Sequence, residues 1–261
     1  MNDLISKIIL NKTSLYFISP HLDDAMLSCG DLIRRLAYES QITVVNVFTE
    51  ISPPPLTLSA KAFVKQCGKN DAMELFKERR AEDYSAYKSI GVNVKNLGFI
   101  DAQWRKKDKL NFIQKKISRI LPEIIHVYPV YRWHIVNGKI SIWDKKMMEN
   151  IKISILDVVN KDENYLVFCP MGVGGNVDHR IVRNCCLDIF DKNIILWSDF
   201  PYNSKNKLDL EDASNYREFI FNFDKFKKEE LIKLYRSQYE ALINDGMGNL
   251  ADERYYLKTN N

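Results

Sequence analysis

The chain has 261 residues, of which 46% are hydrophobic and 28% charged. Those proportions belong to an ordinary globular protein and exclude disordered, collagen-like and disulfide-stapled classes. Lys and Arg number 38 against 34 Asp and Glu, a net charge of +4, which does not imply a nucleic-acid partner. The pairs Lys106-Lys107 and Lys227-Lys228 lie among acids and read as solvated helix faces. No apolar run reaches the roughly 18 residues of a membrane span. Residues 1–11 lack the apolar stretch and cleavage site of a signal peptide. Five cysteines without a CxxC pair fit buried thiols in a reduced, cytoplasmic protein.

The elements follow in chain order. Ser14–Ser19 is a short apolar run ending at Pro20, as in a buried strand. From Ala25 to Leu36, Met26, Leu27, Cys29, Leu32, Ile33 and Leu36 recur at helical spacing. Ile42–Phe48 is β-branched and predicts a second strand, which completes a parallel βαβ unit. Residues 49–70 read as a long loop, because Pro53-Pro54-Pro55 forbids regular helix. Long loops of this kind often carry function. A helix is expected over 71–90, closed by Gly91, then a strand over 94–99 and a helix over 111–121. Glu123–Tyr128 reads as another strand, and 129–142 as a loop or hairpin. A helix over 145–159, a buried strand over 165–169 and the glycine-rich Met171–Gly175 come next. A helix over 177–190, a strand over 193–197 and one long helix near 224–244 complete the chain. With no repeat and no linker, the economical reading is one α/β domain over 1–261, a mostly parallel sheet flanked by helices.

Four histidines occur, His21, His126, His134 and His179. Two of them stand beside aspartates directly after predicted strands: His21-Leu22-Asp23-Asp24 and Asp178-His179. Parallel sheets gather ligands beyond the carboxyl ends of their strands, so both clusters face one rim. A hydrolytic zinc takes three protein ligands and keeps an open position. His21, Asp24 and His179 make such a set, and Asp23 is left to act as a base. Zinc in that position lowers the pKa of its water and polarises a carbonyl. Two histidines and a carboxylate also suit Fe2+ or another divalent metal. The competing interpretation is structural: Asp23, Asp24 and Asp178 all suit helix N-termini.

Ser19–Gly30 resembles the opening motif of the PIG-L/LmbE family of zinc-dependent de-N-acetylases, and Gly172–Arg180 resembles its second motif. Arg79–Asp83, Asp199–Tyr202, Tyr235–Gln238 and Glu253–Tyr255 are further similarities in the family's order. The resemblance implies a Rossmann-like fold, with zinc on His21, Asp24 and His179 and Asp23 as general base. It implies substrate contact for Arg79, whose alternative is an ion pair with Asp83 four residues on. Tyr202 is assigned to substrate binding on the same footing. The implied substrate is a small N-acylated amino sugar or glycoside. The sequence departs from the family at Asn176, where members commonly carry a histidine oriented by the aspartate matching Asp178. That histidine is held to stabilise the oxyanion. An asparagine still donates a hydrogen bond, but loss of an oxyanion donor costs on the order of 100- to 1000-fold in rate. Asn176 therefore does the work more weakly, another residue such as His126 replaces it, or the chain is a non-hydrolytic paralogue that binds a sugar or nucleotide sugar. Hydrolysis of a non-sugar amide is a third class. Trp104, Trp133, Tyr131 and Tyr202 are candidates to stack on a sugar, and 49–70 and 129–142 are the segments expected to select the substrate.

Overall fold

The structure, a computed structural model, describes residues 2–204, 215–244, 250 and 252–259. Its centre is one sheet of seven strands: β1 (Ser14–Ser19), β2 (Ile42–Glu50), β3 (Asn93–Ile100), β4 (Tyr165–Pro170), β5 (Ile194–Trp197), β6 (Tyr216–Phe221) and β7 (Glu253–Lys258). Their spatial order is β3-β2-β1-β4-β5-β7-β6. The first five are parallel, and β7 joins β5 and β6 antiparallel. The helices are α1 (Asn2–Leu10), α2 (Asp24–Leu36), α3 (Leu58–Gln66), α4 (Ala72–Ser89), α5 (Phe112–Ile117), α6 (Lys145–Val158), α7 (Val177–Ile189), α8 (Lys225–Ile232) and α9 (Arg236–Asn244). The expected Rossmann-like α/β architecture is the one observed.

Side chains alternate across a strand, and the sheet uses that alternation to feed two cores. Tyr16, Ile18, Val45, Val47, Val167 and Cys169 point to the face covered by α6 and α7, meeting Ile151, Ile155, Ile181 and Val182. Leu15, Phe17, Val44 and Phe168 point to the other face, where Leu32, Ile33, Ala86 and Tyr87 of α2 and α4 pack. Phe17 and Phe168 stack there at 4.4 Å between ring centroids. Both faces are buried, which is why the parallel strands are continuous hydrophobic runs. The five cysteines are free, four of them buried and Cys67 partly so.

Four expectations need correction. The loop expected over 49–70 contains α3, because Thr57 accepts a hydrogen bond from Ala60 N as its N-cap two residues beyond the prolines. The strand expected over 123–128 is a 3-10 turn, Pro122–Ile125, followed by a lone bridge between Lys106 and His126. Its backbone pairs with the 105–107 segment instead of a strand: Lys107 N donates to Ile125 O and Val127 N to Arg105 O. The single helix expected near 224–244 is two, α8 and α9, interrupted where Tyr235 buries its ring and gives its hydroxyl to Asp83. Within 129–142 the backbone forms a π-helical turn at Tyr131–Ile135, not a hairpin. Among the described residues no helix is long and apolar enough to cross a membrane.

Candidate active site

Strand order reverses direction between β1 and β4, and an open α/β sheet has its crevice at that switch point, beyond the carboxyl ends of the strands. His21, Asp23 and Asp24 follow β1, the glycine turn 172–175 and α7 follow β4, and Asp101 follows β3. They surround a cavity of about 360 Å³. Leu27 and Phe63 give it apolar walls, and Arg79, Gln103, Tyr131 and Tyr202 also line it.

Three donors converge at its floor. The Nδ1 atom of His21 lies 2.9 Å from Asp24 Oδ2, and Nε2 of His179 lies 3.3 Å from the same oxygen. One ligand atom from each of the three residues falls within 4.8 Å of the others. Nε2 of His179 is buried, and its 3.3 Å approach to Asp24 is not a well-formed hydrogen bond, which leaves a polar nitrogen suited to a metal. The remaining ring nitrogens are each held by a carboxylate, His179 Nδ1 by Asp199 Oδ1 at 2.6 Å and His21 Nε2 by Asp178 Oδ2 at 3.2 Å. Metal-binding histidines are typically oriented in this way. These observations show that the residues fit a divalent metal. A second set, His21, Asp101 and Asp178, gathers at the other ring nitrogen of His21, again with ligand atoms within 4.8 Å of one another.

The two adjacent aspartates have opposite environments. Burial opposes ionisation of Asp24, yet His179 and His21 hold its carboxyl well below the usual range. Burial raises the Asp23 carboxyl above that range, against the pull of Arg79. Burial lowers the His179 imidazole, but Asp24 and Asp199 outweigh it and the value rises to about 10. Asp178, wholly buried, stays below the usual range because Arg105 and His21 offset its burial.

The structure brings His21, Asp23, Asp24, Asn176, Asp178, Arg79 and Tyr202 to the cavity. His179 adjoins it, with the ring of Tyr202 edge-on to its imidazole at 5.6 Å. Arg79 Nη2 lies 3.4 Å from Asp23 Oδ2. It does not pair with Asp83, which takes Asn46 and Tyr235 instead. Asn176 is the N-cap of α7, its Oδ1 accepting from Asp178 N at 2.9 Å. Two aromatic assignments fail. Trp104 is wholly buried between Phe63 and Phe76, and Trp133 is mostly exposed and does not line the cavity. His126 is buried with Nδ1 on Pro122 O, and it does not line the cavity. It is not the substitute for a histidine at 176.

Sequence reasoning missed Asp101, Gln103 and Arg105. The signal was present in the position of Asp101, immediately after a strand whose end points to the same rim as His21.

The family model of PIG-L, GlcNAc-PI de-N-acetylase, matches residues 16–190, more than half of the chain. The chain belongs to the PIG-L family. Its activity class is accordingly N-deacetylation, an amide hydrolysis. The matched segment runs from β1 through α7 and includes every candidate metal ligand. A 2'-N-acetylparomamine deacetylase of Niallia circulans is 24% identical over 267 residues, covering 90% of this chain and 87% of that protein. A teicoplanin deacetylase solved with teicoplanin is 22% identical and superposes with a TM-score of 0.72, over 95% of this chain and 100% of the other. The zinc-inhibited form of a teicoplanin deacetylase gives a TM-score of 0.74 at 21% identity with the same coverage. The likeness to these structures shows the fold.

Proposed function

We propose that this PIG-L family member hydrolyses the N-acyl group, acetyl in the first instance, of a small amino-sugar-containing substrate, using zinc on His21, Asp24 and His179. The observation that carries this reading is the convergence of His21, Asp24 and His179 at the base of the cavity, with the buried Nε2 of His179 lacking a well-formed hydrogen bond. A divalent metal held there supplies Lewis acidity and a lowered pKa for water.

The chain's own residues do the rest. Asp23 accepts the proton of the attacking water and returns it to the departing nitrogen as the C–N bond breaks, giving a free amine and the carboxylate of the acyl group. Arg79, 3.4 Å away, holds the Asp23 carboxylate toward the cavity and keeps guanidinium donors for the substrate. Asn176 has its Oδ1 committed to the helix backbone and its amide beside the Tyr202 hydroxyl, so the second N–H of that amide is the group left to donate to the developing oxyanion. Tyr202, Tyr131 and Phe63 line the cavity and are the rings available to a sugar. The α3 wall and the Tyr131–Ile135 turn are the parts that select among substrates. The buried thiols support a reduced, cytoplasmic setting.

A second reading, a sugar-binding paralogue that keeps the metal site without hydrolysis, rests on Asn176 alone. Amine release from N-acetylated amino sugars, their glycosides and their nucleotide derivatives separates the two. The protein is assayed with quantified metal beside a chelated control. Metal-dependent release is expected. No release by fully metallated protein across the panel overturns the hydrolytic reading in favour of the binding one.

A further inference from the structure

Arg105 belongs to none of the motifs that carry the family resemblance, yet its guanidinium is buried against the site. Its Nη2 lies 2.6 Å from Asp178 Oδ1 and its Nη1 3.3 Å from Asp144 Oδ2. Nε and Nη2 both donate to Ile100 O, at 3.1 and 2.9 Å. The cation also lies over the ring of Phe48, 4.8 Å from its centroid. A planar fork with fixed donors is what such a site demands, and a lysine cannot supply it.

Both oxygens of Asp178 have partners. Its Oδ1 takes Arg105, and its Oδ2 takes Ala102 N at 2.8 Å and His21 Nε2 at 3.2 Å. The side chain of Asn176 meets the backbone N–H of Asp178, not its carboxylate, as it caps α7. The resemblance assigns this aspartate to a histidine at 176. In this chain the carboxylate faces Arg105 and His21.

We propose that Arg105 is a positioning residue that clamps Asp178 so that its second oxygen orients the His21 ring, presenting Nδ1 toward Asp24 and His179. The inference rests on the proposed reading of His21 as a metal ligand. It assigns the metal set an oriented partner on each histidine, Asp199 for His179 and the Arg105–Asp178 pair for His21.

The test is Zn2+ and Co2+ affinity of the metal-free protein by competition with a chromophoric chelator, read beside thermal unfolding of the same metal-free samples. Failure of the unsubstituted protein to bind either ion overturns the metal reading itself. With binding established, Arg105→Met is expected to weaken affinity about 10- to 100-fold, the usual effect of losing such a partner. Asp178→Asn is expected to do the same, and the double variant to lose no more than Asp178→Asn alone. A folded Arg105→Met with unchanged affinity, or losses that multiply in the double variant, overturns the inference. Should Arg105→Met not fold, Arg105→Lys keeps the charge without the fork, and a folded Lys variant with unchanged affinity overturns it equally. Asn176→His supplies a separate check. Because the carboxylate of Asp178 is held by Arg105 and His21, the added histidine lacks a free orienting partner in this arrangement, and a gain in turnover above about 10-fold (roughly 1.4 kcal/mol) contradicts the assignment.

Discussion

Asp199 grips His179 with one oxygen and the glycine turn with the other. Its Oδ1 lies 2.6 Å from His179 Nδ1, and its Oδ2 accepts from both Gly172 N and Val173 N at 2.8 Å. Each oxygen is therefore an acceptor. An asparagine there must point its NH2 either at two N–H groups or at the donating ring nitrogen. Asp199→Asn is expected to weaken metal binding about 10- to 100-fold. Chelator competition measures it, and an unchanged constant would show that the ring is held by packing alone.

Asp23 lies beside a proposed ligand and is not one of the donors that converge on it. Asp23→Ala is expected to cut turnover by about 100- to 10,000-fold, the range for losing a general acid–base, with bound zinc unchanged. Near-normal turnover in a fully metallated variant refutes the assignment.

The Asn176 cap makes a claim about stability that is separate from chemistry. Its side chain satisfies Asp178 N at the start of α7. Removal by Asn176→Ala is expected to destabilise the metal-free protein by about 1 kcal/mol. Thermal unfolding should register this as a fall of about 2–4 °C for a chain of this size.

Asp83 offers a test by pH. Burial raises its carboxyl well above the usual range, and the hydrogen bonds from Tyr235 and Asn46 do not offset it. Between the ordinary carboxyl value and that raised value, the folded protein keeps a proton the unfolded chain has released. Stability contributed by this group is therefore full below the ordinary value and is lost as pH rises through the window. Asp83→Asn removes the titration. Urea unfolding across the window should show stability of the unsubstituted protein falling relative to the variant as pH rises. A flat or rising difference contradicts the environment described for Asp83.

His21, Asp24 and His179 were legible because each follows a strand with an unmistakable apolar pattern, and the rule for parallel sheets places those ends together. Arg105 was not, since an arginine five residues past a strand has no pattern that separates it from a solvated surface cation. Its burial depends on Phe48, Ile100 and Asp144 arriving from three other parts of the chain. The 123–128 segment misled for a related reason. Ile-Ile-His-Val-Tyr has strand composition, but a strand needs a neighbour, and the 105–107 backbone occupies its hydrogen bonds. Strands β6 and β7 escaped notice because Tyr216–Phe221 and Glu253–Lys258 carry charges within short runs. Their pairing is set by each other and by β5.

Glu253 sits on β7, yet its carboxylate oxygens accept from Asp31 N and Leu32 N inside α2, 222 and 221 residues earlier, and pair with Lys228. The ribosome therefore makes α2 about 222 residues ahead of its partner. The helix that begins at Asp24 thus acquires its last internal contacts only when β7 has emerged. A nascent chain halted before Glu253 would carry an unfinished α2 behind His21, with Lys228 still lacking its carboxylate.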